Sequence, residues 1–362
     1  TYGYDDLYRL ATATGPEGAE GYTYDLLGNR LTSLETEGLW TYNANNELIT
    51  NEGATYDYDL NGNTITKTTP SGIWSYVYDM ENRLVEVKKD GQEAALYGYD
   101  PFGRRLWKSV NGIKTYFAYS DEGLVAEYDS TGTIQKSYGY LPGSLWTTNP
   151  LYLATDEADG IWRYYWYQND NLGTPKALTD ENGRIVWSAS AEAFGETSVD
   201  AGSVVVNNLR FPGQYEDAET GLHYNYHRYY DPETGRYVSE DPIYALNLYH
   251  YAKGKPIRHY DPDGRLVAQV CGAAAVALTA CLMADSISDF FEKANKEMER
   301  KEKEYNDNKP PDLKKDHDKI RELAEQGLKT IGDVPGTSGT GPVSFDPIDH
   351  ISSDIMERLT DV

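Results

Sequence analysis

The sequence predicts a mainly β protein: a run of β-hairpins pairing edge to edge in one sheet that winds or closes on itself, then a small, mainly α-helical C-terminal tail. Three observations carry the prediction. A Tyr-x-Tyr-Asp unit recurs at a spacing of roughly 16 to 21 residues, the range of repeat arrays. The apolar surface is supplied by 32 Tyr against 7 Phe and 4 Met, and rings with a polar handle suit half-wet pleated sheets better than a helical core. After Gly264 the composition changes abruptly from Tyr-, Gly- and Asn-rich to an uncharged Ala-rich run and then to dense charge.

The repeats open with YGYDDLYRL at Tyr2, YTYDLLGNRLTSL at Tyr22 and TYNANNELIT at Thr41. They continue through YDYDLNGNTITK at Tyr56, YVYDMENRLVEV at Tyr76 and YGYDPFGRRLWKS at Tyr97. In the second copy Tyr22 and Tyr24 fall on one face of a strand and Asp25 caps the turn with its carboxylate. Gly28 and Asn29 tolerate positive φ, and Arg30-Leu31 opens the return strand. One hairpin cannot bury its own apolar face, so the units are expected to stack into a continuous sheet that hides its edges. A looser copy from Tyr116 carries Ser120 where others carry Asp.

A chain of 362 residues exceeds one ordinary core and points to two or three units. Its formal net charge of -25 excludes general nucleic-acid binding by the β-rich part, because phosphate attraction needs a basic face. The two cysteines, Cys271 and Cys281, both lie in the Ala-rich run. On one helix they sit about 15 Å apart along the axis, so free thiols are expected. Thr1 already stands at the head of a repeat with no signal peptide before it, which reads as the C-terminal piece of something longer.

Leu266 to Ala284 holds 19 residues without a charge, the lower edge of a membrane span. Its Ala content favours a packed helix, or a helical hairpin broken at Gly272, over membrane contact by 266–284. Asp285 to Lys309 carries Glu292-Lys296, Glu297-Lys301 and Glu299-Lys303 at i,i+4, a solvated helix stopped by Pro310-Pro311. A second helix is expected from Leu313 to Leu328 and a short amphipathic one from Ile348 to Leu359. His317 and His350, each flanked by acids, are weak candidates for a metal-dependent nuclease or a general-base site, with a solvated helix face and a turn as the plainer reading. No cofactor or metal motif is visible, and no metal or cofactor is expected.

The Tyr-x-Tyr-Asp units resemble the YD repeats of bacterial Rhs and YD-repeat proteins, also found in insecticidal toxin-complex C subunits and teneurins. NDNLGTPKALTDENGRIVWSASAEAFGE from Asn169 and NNLRFPGQYEDAETGLHYNYHRYYDPETGRYVSEDPI from Asn207 resemble the Rhs repeat-associated core. The resemblance implies three parts: YD-repeat sheet over 1–150, a core segment that plugs one end over 151–264, and a variable tail over 265–362, a toxin. The strip would spiral into a shell around its own tail as cargo. An immunity protein and a secretion-system spike or toxin-complex component are the other implied partners, with a secreted or cell-surface location. Two departures stand out: Gln168 where bacterial relatives usually have His, and Arg265 between Gly264 and Leu266.

From Arg228 to Gly264 the chain holds three Asp-Pro dipeptides and seven tyrosines. Two carboxyls brought together can share a proton, one activating water and the other acting as acid toward a carbonyl. Asp241 and Asp261 are the candidates, each presented by a following Pro; the plainer reading makes both turn residues. The resemblance implies an intramolecular aspartyl protease that frees the tail, with Asp241, Asp261 and Arg236 at its site. Asp263 or Asp231 are alternative partners for Asp241. By the same resemblance the cut falls between Leu266 and Val267, or at Arg265-Leu266 if the extra residue shifts the register. A reading from another class is a structural or adhesion protein with a membrane-proximal tail and no protease.

Overall fold

The computed structural model describes residues 1–15, 18–33, 39–51, 53–156, 160–243, 245–265 and 267–269. Nearly all regular structure among them is β. The repeat unit explains why. In each turn the Oδ1 of the acid accepts the N–H groups two and four residues on: Leu27 and Asn29 at 2.9 and 2.8 Å for Asp25, Phe102 and Arg104 at 2.9 Å each for Asp100. These donors would otherwise be orphaned at the hairpin tip. The third residue after the acid takes the left-handed conformation, as Gly28, Gly62 and Gly103 do at φ 84, 74 and 81°. Asn29, expected to share it, does not; its amide instead donates to Asp25 Oδ2 at 2.8 Å and Asn46 Oδ1 at 2.8 Å.

Each turn ends in a register shift, such as that between Gly98 and Tyr99 opposite Trp107 and Arg105. A bulge of this kind puts two side chains against one and adds twist. In four repeats the tyrosine just before the turn residue (Asp25, Asn43, Asp100 and Ser120) then serves the neighbouring repeat. Tyr24 Oη donates to Leu10 O at 2.7 Å, Tyr42 Oη to Arg30 O at 2.7 Å, Tyr99 Oη to Leu84 O at 2.6 Å and Tyr119 Oη to Arg105 O at 2.8 Å. Each of these carbonyls lies five residues past the preceding turn acid. Phenylalanine would fill the same space and withdraw this donor from the carbonyl, which is a reason for Tyr at these four positions.

Among the described residues the strands of the strip fall into two sheets. Four strands from Tyr2–Tyr4 to Arg30–Ser33 make the first. Sixteen from Thr41–Tyr42 to Thr197–Val199, in sequence order, make the second. The two adjoin, with Trp40 N donating to Leu31 O at 2.9 Å. The expected boundary at 150/151 falls inside the long sheet, since Pro150–Asp156 pairs with strands on both sides. The end of the strip returns to its beginning. Ala193 N donates to Glu20 Oε2 at 2.9 Å, and Phe194 packs edge-on to Tyr22 with centroids 5.0 Å apart.

Inside lies a four-stranded plug sheet: Tyr215–Asp217, Leu222–Asn225, Arg228–Asp231 and Arg236–Tyr237. Leu222, Tyr224, Tyr229 and Val238 of the plug bury against Tyr76, Leu84, Val87 and Tyr97 of the wall. Buried charges lock the two together. Asp217 pairs with Arg105 and, at 3.0 Å, with Lys108; Asp231 pairs with Lys67 at 3.2 Å. The Ala-rich run was expected to be helical from Leu266. Its described part begins as a strand instead, with Ala268–Gln269 pairing antiparallel to His259–Tyr260. The remainder of that run, both cysteines and the expected helices beyond it lie outside the described residues.

Candidate functional site

The plug delivers both candidate acids to one place. Past Tyr237, whose N–H is held by Tyr249 O at 3.0 Å, the chain reaches Asp241, whose N–H donates to Leu248 O at 2.9 Å. It returns through His259–Tyr260 to a loop at Asp261–Arg265, then folds back at Ala268–Gln269. Glycine permits this seating. Gly264 takes φ 79° and a Cβ there would stand 2.6 Å from Asn225 O, while one on Gly213 (φ 88°) would stand 2.0 Å from Pro262 O. His227 N donates to Asp263 O at 3.2 Å and ties the loop to the turn between the second and third plug strands.

Arg228 joins the acids. Its Nη2 lies 2.7 Å from Asp241 Oδ2 and 3.4 Å from Asp261 Oδ2. Its Nε donates to Gly264 O, its Nη1 donates to Leu248 O at 2.9 Å, and its Cζ stands 3.6 Å from the Tyr237 ring centroid. Asp261 is buried. Its Oδ1 accepts Gly264 N at 2.9 Å and Arg265 N at 3.0 Å, and its Oδ2 accepts Tyr237 Oη at 2.8 Å. Asn225 Nδ2 donates to Tyr237 Oη at 2.8 Å and to Asp261 O at 2.9 Å. Asp241 Oδ1 accepts Ile243 N at 2.8 Å.

Burial raises the Asp261 pKa to about 6, with Arg228 and the Tyr237 hydroxyl opposing and Asp263 and Asp241 adding to the rise. Burial raises Asp241 as well, against the pull of Arg228. This separates Asp261 from the turn acids of the repeats, which it otherwise copies by capping two backbone N–H groups. Asp5 and Asp79 lose less to burial than they gain from the donors of Arg9 and Arg83, so their pKa values fall. A carboxyl that exchanges its proton near neutrality, a second acid on the same guanidinium and a backbone amide in contact together have the parts of an acid–base pair acting on a peptide.

The structure thus brings Asp241 and Asp261 together. It does not place Arg236 with them: that guanidinium donates to Asn29 Oδ1 at 3.1 Å and Asn46 O at 2.5 Å, and fastens the plug to the wall. Of the alternative partners, Asp231 is held by Lys67. Asp263 lies in the loop itself, its Oδ1 accepting Arg265 N at 3.1 Å. Val267 directly precedes the Ala268–Gln269 strand; Leu266, His317 and His350 lie outside the described residues. Arg228, Tyr237 and Asn225 were not singled out from sequence. The available signal was Arg228 itself, a charge inside His-Arg-Tyr-Tyr that must find a partner once the strand is buried.

The family model of the teneurin YD-shell matches residues 1–261. Double-stranded DNA deaminase toxin A of Burkholderia cenocepacia is 31% identical over 295 residues, 73% of this chain and 20% of that protein. The tRNA nuclease WapA of Bacillus subtilis is 32% identical over 290 residues, 76% of this chain and 12% of its own length. The chain therefore spans a fifth or less of these curated relatives. A solved structure of the Photorhabdus luminescens Tc holotoxin pore matches with a TM-score of 0.53 at 20% identity, over 75% of this chain and 15% of that one. At that identity the likeness concerns the fold.

Proposed function

Because the chain belongs to the YD-shell family, we propose that it is part of a polymorphic toxin whose β-shell encloses a C-terminal effector and whose plug frees that effector by aspartyl autoproteolysis. The supporting observation is the convergence of Asp241 and Asp261 on Arg228, with Asp261 in the loop that leads to Leu266. In this reading Asp241, the closer to Arg228, takes a proton from water as the water oxygen attacks the scissile carbonyl. Asp261 gives its proton to the carbonyl oxygen. Collapse of the intermediate returns that proton to Asp261 and breaks the C–N bond, and the departing amine takes the proton held by Asp241. The fragment 267–362 is the cargo, and it is delivered outside the producing cell with an immunity protein protecting the producer.

Intact mass of the expressed full chain tests the chemistry. Two species divided after Leu266 are expected, with one full-length species for Asp241→Asn and for Asp261→Asn. A parent chain recovered only whole would remove the protease reading and leave a shell with an attached tail.

A further inference from the structure

We propose that Tyr237, oriented by Asn225, is a positioning residue for this self-cleavage, holding Asp261 through its hydroxyl and Arg228 through its ring, so that its hydroxyl sets the pH range in which the chain cuts itself. The inference rests on the autoproteolytic reading above. Its geometry is a fully buried relay. Asn225 Nδ2 donates to Tyr237 Oη at 2.8 Å, and Tyr237 Oη donates to Asp261 Oδ2 at 2.8 Å. The second contact of Asn225 Nδ2, to Asp261 O at 2.9 Å, fixes the same residue by its main chain. Asn225 Oδ1 is buried without a partner, so the hydrogen bonding of this side chain is committed to the acid and its tyrosine. The Arg228 guanidinium lies 3.6 Å over the Tyr237 ring, so one side chain sets the spacing between the acid and the cation it shares with Asp241.

The groups facing Asp261 come from every packed segment. Arg228 and Tyr237 approach from the plug strands, Asp241 from the segment after them, Tyr251 from the turn behind and Asp263 from the loop itself. Burial and the two acids favour the protonated carboxyl; Arg228 and the Tyr237 hydroxyl favour the carboxylate. Tyr237 is itself held far above the ordinary tyrosine range by burial, with Asp261 adding to it, so it stays a neutral donor at any working pH. Removing the hydroxyl withdraws a hydrogen bond from the charged form only, and the Asp261 titration moves upward. With Asp261 as the acid, the alkaline limb of the cleavage profile moves with it.

The test follows release of the C-terminal fragment from full chain made by cell-free synthesis and transferred to buffers spanning acid to weakly alkaline pH. Tyr237→Phe, which keeps the ring over Arg228, is expected to shift the limb upward by roughly one unit, the size of one charge-assisted hydrogen bond. Asn225→Ala keeps the hydroxyl but removes its orienting donor, and is expected to shift the limb the same way by less. A Tyr237→Phe profile that overlays the parent overturns the proposal, as does a lower plateau without a shift or an unshifted Asn225→Ala limb. Continued cleavage by Asp261→Asn would instead defeat the underlying protease reading.

Discussion

Replacing Asp217 by Asn probes what keeps the plug in the wall. Asp217 Oδ1 accepts Lys108 Nζ at 3.0 Å and Oδ2 accepts Arg105 Nη1, with the side chains of Asp217 and Arg105 0% and 1% exposed. The variant keeps the shape and withdraws the charge. Glu219 still reaches Lys108 at 3.1 Å, and Arg105 retains the rings of Tyr224 and Phe117, 4.5 and 4.7 Å from its Cζ. Breaking one side of a buried pair costs about 3–5 kcal/mol, and desolvated ring contacts already present in the parent do not offset it. A loss of about 3 kcal/mol is therefore expected, a large fraction of an ordinary domain's stability. Urea unfolding of the full chain, followed by tryptophan fluorescence, measures it. Combining Asp217→Asn with Arg105→Met should recover most of the loss, because Lys108 keeps Glu219 and no uncompensated cation then remains. Burial alone would raise the Asp217 pKa, but Arg105 and Lys108 outweigh it and hold it below the usual carboxylate range. Its contribution is thus present above the unfolded-state pKa and disappears as pH falls through the lowered folded value, so the deficit of the variant should close at strongly acid pH. A variant matching the parent at neutral pH would refute the charge lock.

Two further outcomes follow from the same contacts. Tyr99→Phe should cost about 1–3 kcal/mol, because the buried Leu84 carbonyl loses its donor, whereas Tyr78→Phe should cost almost nothing, its hydroxyl being buried without a partner; equal losses in urea unfolding would contradict the role assigned to the repeat tyrosines. Gly213→Ala should slow release of the C-terminal fragment by about a hundredfold through displacement of Pro262, while Gly91→Ala, at a similar positive φ but facing open space, should leave release unchanged; fragment yield over time distinguishes them.

The repeat was legible because its chemistry is local. Asp25 satisfies N–H groups no more than four residues away, so a short string of residues contains the whole turn. Tyr24 was legible as a strand residue but not as a donor, since Leu10 O lies 14 residues back and only sheet pairing brings it into reach. The acids of the site stood out through their Asp-Pro setting and the family resemblance. Their cation did not: Arg228 and Arg236 occupy successive plug strands beside tyrosines, and nothing in composition separates them. Packing does, turning Arg228 toward Leu248, Gly264 and the acids and Arg236 toward Asn29 and Asn46. The start of the Ala-rich run was misread as helix for a related reason. A short apolar stretch carries no period that tells helix from strand, and here the strand at His259–Tyr260 supplies the answer.

The sequence by itself determined the hairpin unit, its turn chemistry, the Tyr-rich interior and the change of character after Gly264, because each depends on residues that are neighbours along the chain. Tertiary structure alone decided how Phe194 closes the strip onto Tyr22 and which charges meet inside. Arg105 and Asp217 are 112 residues apart, and Arg30 reaches Glu233 O across 203. Such pairs form only after the strip has wound around the plug and excluded water, when every buried charge must find a partner across the wall.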